Sequence, residues 1–200
     1  DGYLRQVIFI TDGAVGNEHG IFRALHQQLG EARLFTVGIG SAPNSHFMTR
    51  AAQFGRGSFT YINDQNQVQQ GMDTLFRRLE SPLMRNLQVA LPDGIVAEHW
   101  PQKLPDLYAG EPLLVAMKLS APTDQITVSG YRDRHWQQQV ALPANDNHPG
   151  TGSLWARRKI ADLMDRITLG TPEADIAPQI TDVALRHQLV SRYTSFIAVE

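Results

Sequence analysis

"VIFITDGAVGNE", residues 7–18, decides how this chain is read. Val7-Ile8-Phe9-Ile10 runs without a break into Thr11-Asp12-Gly13. An unbroken apolar run of this length predicts a strand buried on both faces, as in a parallel sheet. The strand then ends on a carboxylate and a turn of small residues. Ligands of open parallel sheets sit beyond the carboxyl ends of the strands, where Asp12 stands. Two readings compete for it. An aspartate on a rigid strand end suits a hard cation such as Mg²⁺, with Thr11, Gly13 and Asn17 as supporting residues and not ligands. Alternatively, Asp12 caps the next helix or organises the turn with Gly13, and spacing alone favours this plainer role.

The neighbouring sequence supplies the sheet. Ile21, Phe22, Leu25 and Leu29 recur at helical spacing and stop at Gly30. Leu34 to Ile39 reads as a second strand. Asn44 or Ser45 caps a short helix carrying Phe47, Met48, Ala51 and Phe54, stopped at Gly55. Ser58 to Ile62 is a third strand, and Asp64 precedes a helix with Val68, Met72, Leu75, Phe76 and Leu79. This β-α-β-α-β-α order predicts parallel strands whose carboxyl ends share one edge.

The rhythm changes after Ser81-Pro82. Leu87, Val89 and Leu91 alternate with other residues into the turn Pro92-Asp93-Gly94. Ile95–Trp100, Leu113–Leu119, Gln125–Tyr131 and Trp136–Leu142 read as short strands with no helix between them, an antiparallel, sandwich-like pattern. Two helices follow, Ser153 to about Ile167 and Ala177 or Pro178 to about Leu189, then a closing strand at Thr194–Val199. The expected organisation is α/β plus β. Residues 1–81 carry the parallel part, and residues 82–200 form a sandwich-like module with two helices.

Bulk properties exclude several classes. The 200 residues are 42% apolar and 19% charged, with a net charge of −2, which gives no sign of a nucleic-acid surface. No cysteine is present, so disulfides, thiolate zinc sites and a cysteine nucleophile are ruled out. No stretch is long and apolar enough to span a membrane, and no signal peptide is visible. The chain opens on Asp1-Gly2 and not on Met, as a processed or excised piece would.

Other motifs carry less. Gly38-Ile39-Gly40 hints at a dinucleotide fingerprint, but Pro43 occupies its third glycine position. Gly55-Arg56-Gly57-Ser58 lacks the order of a nucleophile elbow. His19 and His26 lie two helical turns apart and read as surface residues. Arg157-Arg158-Lys159 reads as a solvated helix face with apolar stems lying along the protein, in preference to a site for an anionic partner.

These stretches together resemble a known family. Residues 6–18 and "LFTVGIGSAPNSHFMTRAAQFGRGSFTYI" (34–62) are similar to the second half of a von Willebrand factor A domain. "LPDLYAGEPLLVAMKL" (104–119), "LWARRKIADLMD" (154–165) and "HQLVSRYTSFIAVE" (187–200) narrow the resemblance. It points to bacterial proteins akin to inter-α-trypsin inhibitor heavy chains and vault-associated proteins, of the marine proteobacterial sortase target type. The resemblance implies a doubly wound α/β sheet with a metal-ion-dependent adhesion site at its carboxyl edge. Such a site takes ligands from Asp-x-Ser-x-Ser, a threonine from a later loop, and the aspartate of Thr-Asp-Gly. Thr11-Asp12-Gly13 matches the last of these, whereas no aspartate here is followed by serines at the second and fourth positions.

The resemblance therefore implies part of a Mg²⁺ site in an intact parent domain, and probing this chain alone is expected to find no well-formed one. It also implies an extracytoplasmic, cell-surface or membrane-anchored parent that binds an extracellular protein or matrix ligand. With the first strands of the domain expected upstream of Asp1, an exposed sheet edge is predicted to favour self-association. The leading reading is a non-catalytic adhesion module. A Mg²⁺-dependent hydrolase built on Asp12 and a purely structural scaffold stand as alternatives; the hydrolase needs a second acid or base on a neighbouring strand end, where Gly40 and Asn63 lie.

Overall fold

The structure, a computed structural model, describes residues 4–80, 82–109, 112–143, 148 and 150–197. Its first three strands and helices alternate as β1 (Gln6–Thr11), α1 (Glu18–Gln28), β2 (Arg33–Ile39), α2 (Ser45–Phe54), β3 (Phe59–Ile62) and α3 (Val68–Glu80). The strands form one parallel sheet in the order β1-β2-β3. Gln6 pairs with Arg33 and Thr11 with Gly38, while Thr36 pairs with Phe59 and Ile39 with Ile62. All three carboxyl ends lie on one edge.

Burial follows the strand order. Leu34, Phe35, Thr36 and Val37 of the central β2 are almost completely buried. The sequence predicts the same for β1, yet Val7 is 39% and Ile10 50% exposed. The physical reason is position: among the described residues β1 pairs only with β2 and forms one edge of this sheet, whereas β2 has a strand on each side. Ile8 does pack against a cluster of Phe35, Val37, Ile62, Leu75, Leu79 and Tyr108.

Helix boundaries follow local chemistry. The Asn44 side chain accepts hydrogen bonds from the His46 and Phe47 amides and opens α2. Gly55 and Gly57 close it against β2. A Cβ on Gly57 would lie 2.1 Å from the Leu34 carbonyl oxygen, so only glycine permits that approach. The Asp64 carboxylate accepts from the Asn66 amide at 2.9 Å and starts a short 3₁₀ turn, Gln65–Gln67, ahead of α3.

The remaining strands are β4 (Pro82–Ala90), β5 (Ala97–Trp100), β6 (Leu107–Tyr108), β7 (Ala116–Leu119), β8 (Gln125–Tyr131) and β9 (His135–Ala141). They form a four-stranded sheet, β6-β4-β8-β9, and an antiparallel pair, β5-β7. β6 was not anticipated from the sequence, because two residues are too few for a periodic signal. Two helices follow, α4 (Thr151–Thr168) and α5 (Glu173–Arg186).

Two compact units emerge. The first comprises residues 1–90, 103–113 and 127–138; the second comprises residues 91–102, 114–126 and 139–200. In the first, Arg33 and Asp106 form a buried bidentate ion pair, at 2.6 Å from Nε and 3.0 Å from Nη2. Asn86 sits in a β4 bulge at φ 51° and turns its backbone N–H toward the same carboxylate, at 3.3 Å. In the second, Trp155 packs with Trp100, Ala116, Ala156, Val183, Ala184 and Leu189. Its indole N–H donates to the Glu98 carbonyl at 3.0 Å, and the ammonium groups of Lys118 and Lys159 lie over its ring.

Two expectations are corrected in the second unit. α5 begins at Glu173, with Pro172 at its cap, and not at Ala177 or Pro178; Pro178 lies inside the helix. The acids Glu173 and Asp175 in the first turn favour the earlier start, and Pro178 forfeits a single bond to the Ala174 carbonyl. The closing strand is absent among the described residues. Ser191 and Thr194 form an isolated bridge, and Phe196 and Ile197 stand 73% and 83% exposed with no strand beside them. Residues 198 and 199 of that expected strand lie outside the described residues.

Candidate functional site

Three loops meet the carboxyl edge of the parallel sheet: 12–17 after β1, 40–44 after β2, and 63–64 after β3. The Thr11 hydroxyl donates to the Gly13 carbonyl at 3.0 Å and accepts from the Gly13 amide at 3.2 Å. This side chain, and not the Asp12 carboxylate, closes the turn. Asp12 is exposed, and among the described residues it has no hydrogen-bond or ion-pair partner. The plainer reading, in which Asp12 caps a helix, therefore fails on geometry. The α1 cap is Asn17, held at φ 54°, whose side-chain oxygen accepts from the Gly20 amide at 3.2 Å. Asn17 supports the loop by ending it, and its oxygen is committed there.

The second loop is tied to the first. Asn44 donates from Nδ2 to Glu18 Oε1 at 2.7 Å while its Oδ1 caps α2. The third is tied to the second: the Tyr61 hydroxyl donates to the Gly40 carbonyl at 2.7 Å and lies 3.4 Å from Asn63 Oδ1. The two glycines of Gly38-Ile39-Gly40 have local reasons. A Cβ on Gly38 would press on Pro43 at 2.9 Å, and Gly40 turns the chain at φ 80°. No phosphate-binding role is needed to explain them.

A divalent cation finds a poor donor set in this edge. Mg²⁺ demands near-octahedral oxygens and gives up water reluctantly, so one exposed carboxylate holds it weakly. The Thr11 hydroxyl and Asn17 oxygen are already engaged, and Glu18 accepts from Asn44. Among the described residues, no three His, Cys, Asp or Glu side chains gather in a way that could hold a metal ion. Asp12 fits the role of one ligand among several, and these residues do not complete the set.

His26 and Lys159 make local contacts. The His26 ring stacks on Phe54, with centroids 4.6 Å apart. Lys159 of the basic run pairs with Glu98 at 2.7 Å. The Arg33–Asp106 pair was not seen in the sequence. An arginine at the start of an apolar strand was the one available hint, and nothing local to "LPDLY" marks Asp106 as its partner.

No protein-family model matches the chain. Curated proteins do. A von Willebrand factor A domain-containing protein of Dictyostelium discoideum is 24% identical over 206 residues, 98% of this chain and 22% of its own length. The protein mono-ADP-ribosyltransferase PARP4 of Homo sapiens is 25% identical over 210 residues, 98% of this chain and 12% of its own. An inter-alpha-trypsin inhibitor heavy chain of Sus scrofa is 22% identical over 182 residues, 82% of this chain and 20% of its own. The chain thus spans a quarter or less of the relatives it matches. Among solved structures, a von Willebrand factor type A protein from Catenulispora acidiphila aligns over 92% of this chain and 56% of that one, at 13% identity and a TM-score of 0.47.

Proposed function

We propose that this chain, a relative of the von Willebrand factor A domain proteins, is a non-catalytic protein-interaction module that meets its partner at the carboxyl edge around Asp12. The observation that carries the reading is the Asp12 carboxylate, exposed and unengaged on a turn that Thr11 holds in shape. A charge with no partner among the described residues, on a turn closed by Thr11, is available to a partner directly, and to a shared cation in an intact parent. The family's adhesion geometry supports a role for Asp12 as one ligand of a larger site in an intact parent. The partner class is an extracellular protein or matrix component, and the location is extracytoplasmic, at the cell surface. The narrower likeness to sortase target proteins belongs to the same proposal, as does a boundary between interaction half and supporting module near Ser81-Pro82.

Binding is favoured over turnover for a chemical reason. The strand ends beside Asp12 offer Gly40 and Asn63, neither an acid nor a base, and Asp64 is engaged by Asn66. The test is binding of the chain to immobilised fibronectin, fibrinogen and collagen, with and without EDTA, beside a phosphatase and esterase panel. Asp12→Ala is expected to lower binding at least tenfold while shifting stability by no more than about 0.5 kcal/mol, because the side chain is exposed and has no hydrogen-bond or ion-pair partner among the described residues. EDTA is expected to leave binding by this chain unchanged. Binding indifferent to Asp12→Ala, or turnover lost with it, overturns the proposal.

A further inference from the structure

β9 is the outer strand of the β6-β4-β8-β9 sheet, and all seven of its residues, His135 to Ala141, are exposed. An exposed strand edge presents unpaired N–H and C=O groups, and natural edges are blunted with Lys, Pro, bulges or inward charges. "HWQQQVA" has no lysine, proline, aspartate or glutamate. We propose that β9 is a self-recognition edge, pairing antiparallel with β9 of a second copy about a two-fold axis at Gln138.

The inward bonds fix which groups remain for a partner. At the two ends of the β8-β9 ribbon, the Arg132 amide donates to the Arg134 carbonyl at 3.2 Å and the Leu142 amide donates to the Asp124 carbonyl at 2.7 Å. Antiparallel pairs alternate between bonded and non-bonded. Trp136, Gln138 and Val140 therefore bond inward to β8, and His135, Gln137, Gln139 and Ala141 direct their backbone groups outward. An antiparallel copy centred on Gln138 sets Gln137 against the other copy's Gln139, and His135 against its Ala141, so every outward group is satisfied. Gln138 meets Gln138, and Trp136 meets Val140, in non-bonded pairs where side chains approach most closely.

The sequence of β9 is thus complementary to itself reversed, the condition a two-fold interface imposes. The strand has no Lys, Arg, Asp or Glu, so like charges do not face one another across the axis. Beyond its ends, the turn Arg132-Asp133-Arg134 of one copy, with a net positive charge, falls toward the Asp124 end of the other. These features favour a second copy of this chain over an unrelated strand.

The test uses the cysteine-free background. Residues opposed in a non-bonded pair place Cα atoms about 4.5 Å apart, within the span of a disulfide, and diagonal ones lie about 7–8 Å apart, beyond it. Gln138→Cys is expected to oxidise to a covalent dimer, while Gln137→Cys and Gln139→Cys stay monomeric. Light scattering of the unmodified chain is expected to show a mass rising toward dimer with concentration. Gln137→Pro removes one outward amide and no inward one, and is expected to abolish that rise with the circular dichroism spectrum unchanged. A constant monomer mass without Gln138→Cys crosslinking overturns the proposal. So does crosslinking of Val7→Cys in its place, which assigns association to the β1 edge.

Discussion

Asp12 and Asp106 show how one residue type is put to opposite uses. Asp12 is exposed and has no hydrogen-bond or ion-pair partner among the described residues, so its charge costs little to keep. Asp106 is buried, and its charge is held by the Arg33 guanidinium and the Asn86 amide. Removing one partner of such a pair leaves an uncompensated buried ion. Asp106→Ala is expected to cost about 3–5 kcal/mol, read as a lower midpoint in urea unfolding. The double change Arg33→Met with Asp106→Leu removes both ions, and is expected to cost clearly less than Asp106→Ala alone. Asp12 was legible in the sequence because a carboxylate breaking an apolar run is a local signal. Asp106 was not, because its partner lies 73 positions away and its reason is tertiary.

At the scale of elements, helices and strands with strong periodicity were read correctly, and the misses have physical causes. The β-α alternation, the parallel pairing of the three strands and the caps at Asn44 and Gly55 follow from local pattern, whereas the order β1-β2-β3 is known only from the structure. The burial of β1 did not, because an apolar run encodes the wish to be buried and says nothing of which neighbour supplies cover. The start of α5 was misplaced because Pro178 reads as a first-turn residue, whereas Pro172 and the acids after it define that turn. Gly55 reads as a helix stop in sequence, and the structure adds that Gly55 and Gly57 are a packing contact between α2 and β2. A Cβ at Gly57 would meet the rigid Leu34 backbone, so Gly57→Ala is expected to destabilise by about 1–3 kcal/mol. Gly13→Ala, with open space at its Cβ, is the matched control, expected to stay within about 0.5 kcal/mol. Thermal or urea midpoints compare the two.

For the whole molecule, relatedness to von Willebrand factor A domain proteins runs along nearly all of the chain while covering a minor share of each relative. The chain has a Thr-Asp-Gly turn and no Asp-x-Ser-x-Ser, and the proposal drawn from the resemblance makes Asp12 one ligand of a site completed in an intact parent. Calorimetric titration of the chain and of Asp12→Ala with Mn²⁺ tests this most directly. The account predicts weak heats, millimolar or weaker in affinity and alike for the two proteins. Micromolar binding by the unaltered chain, lost in Asp12→Ala, would contradict it and make this edge a complete metal site.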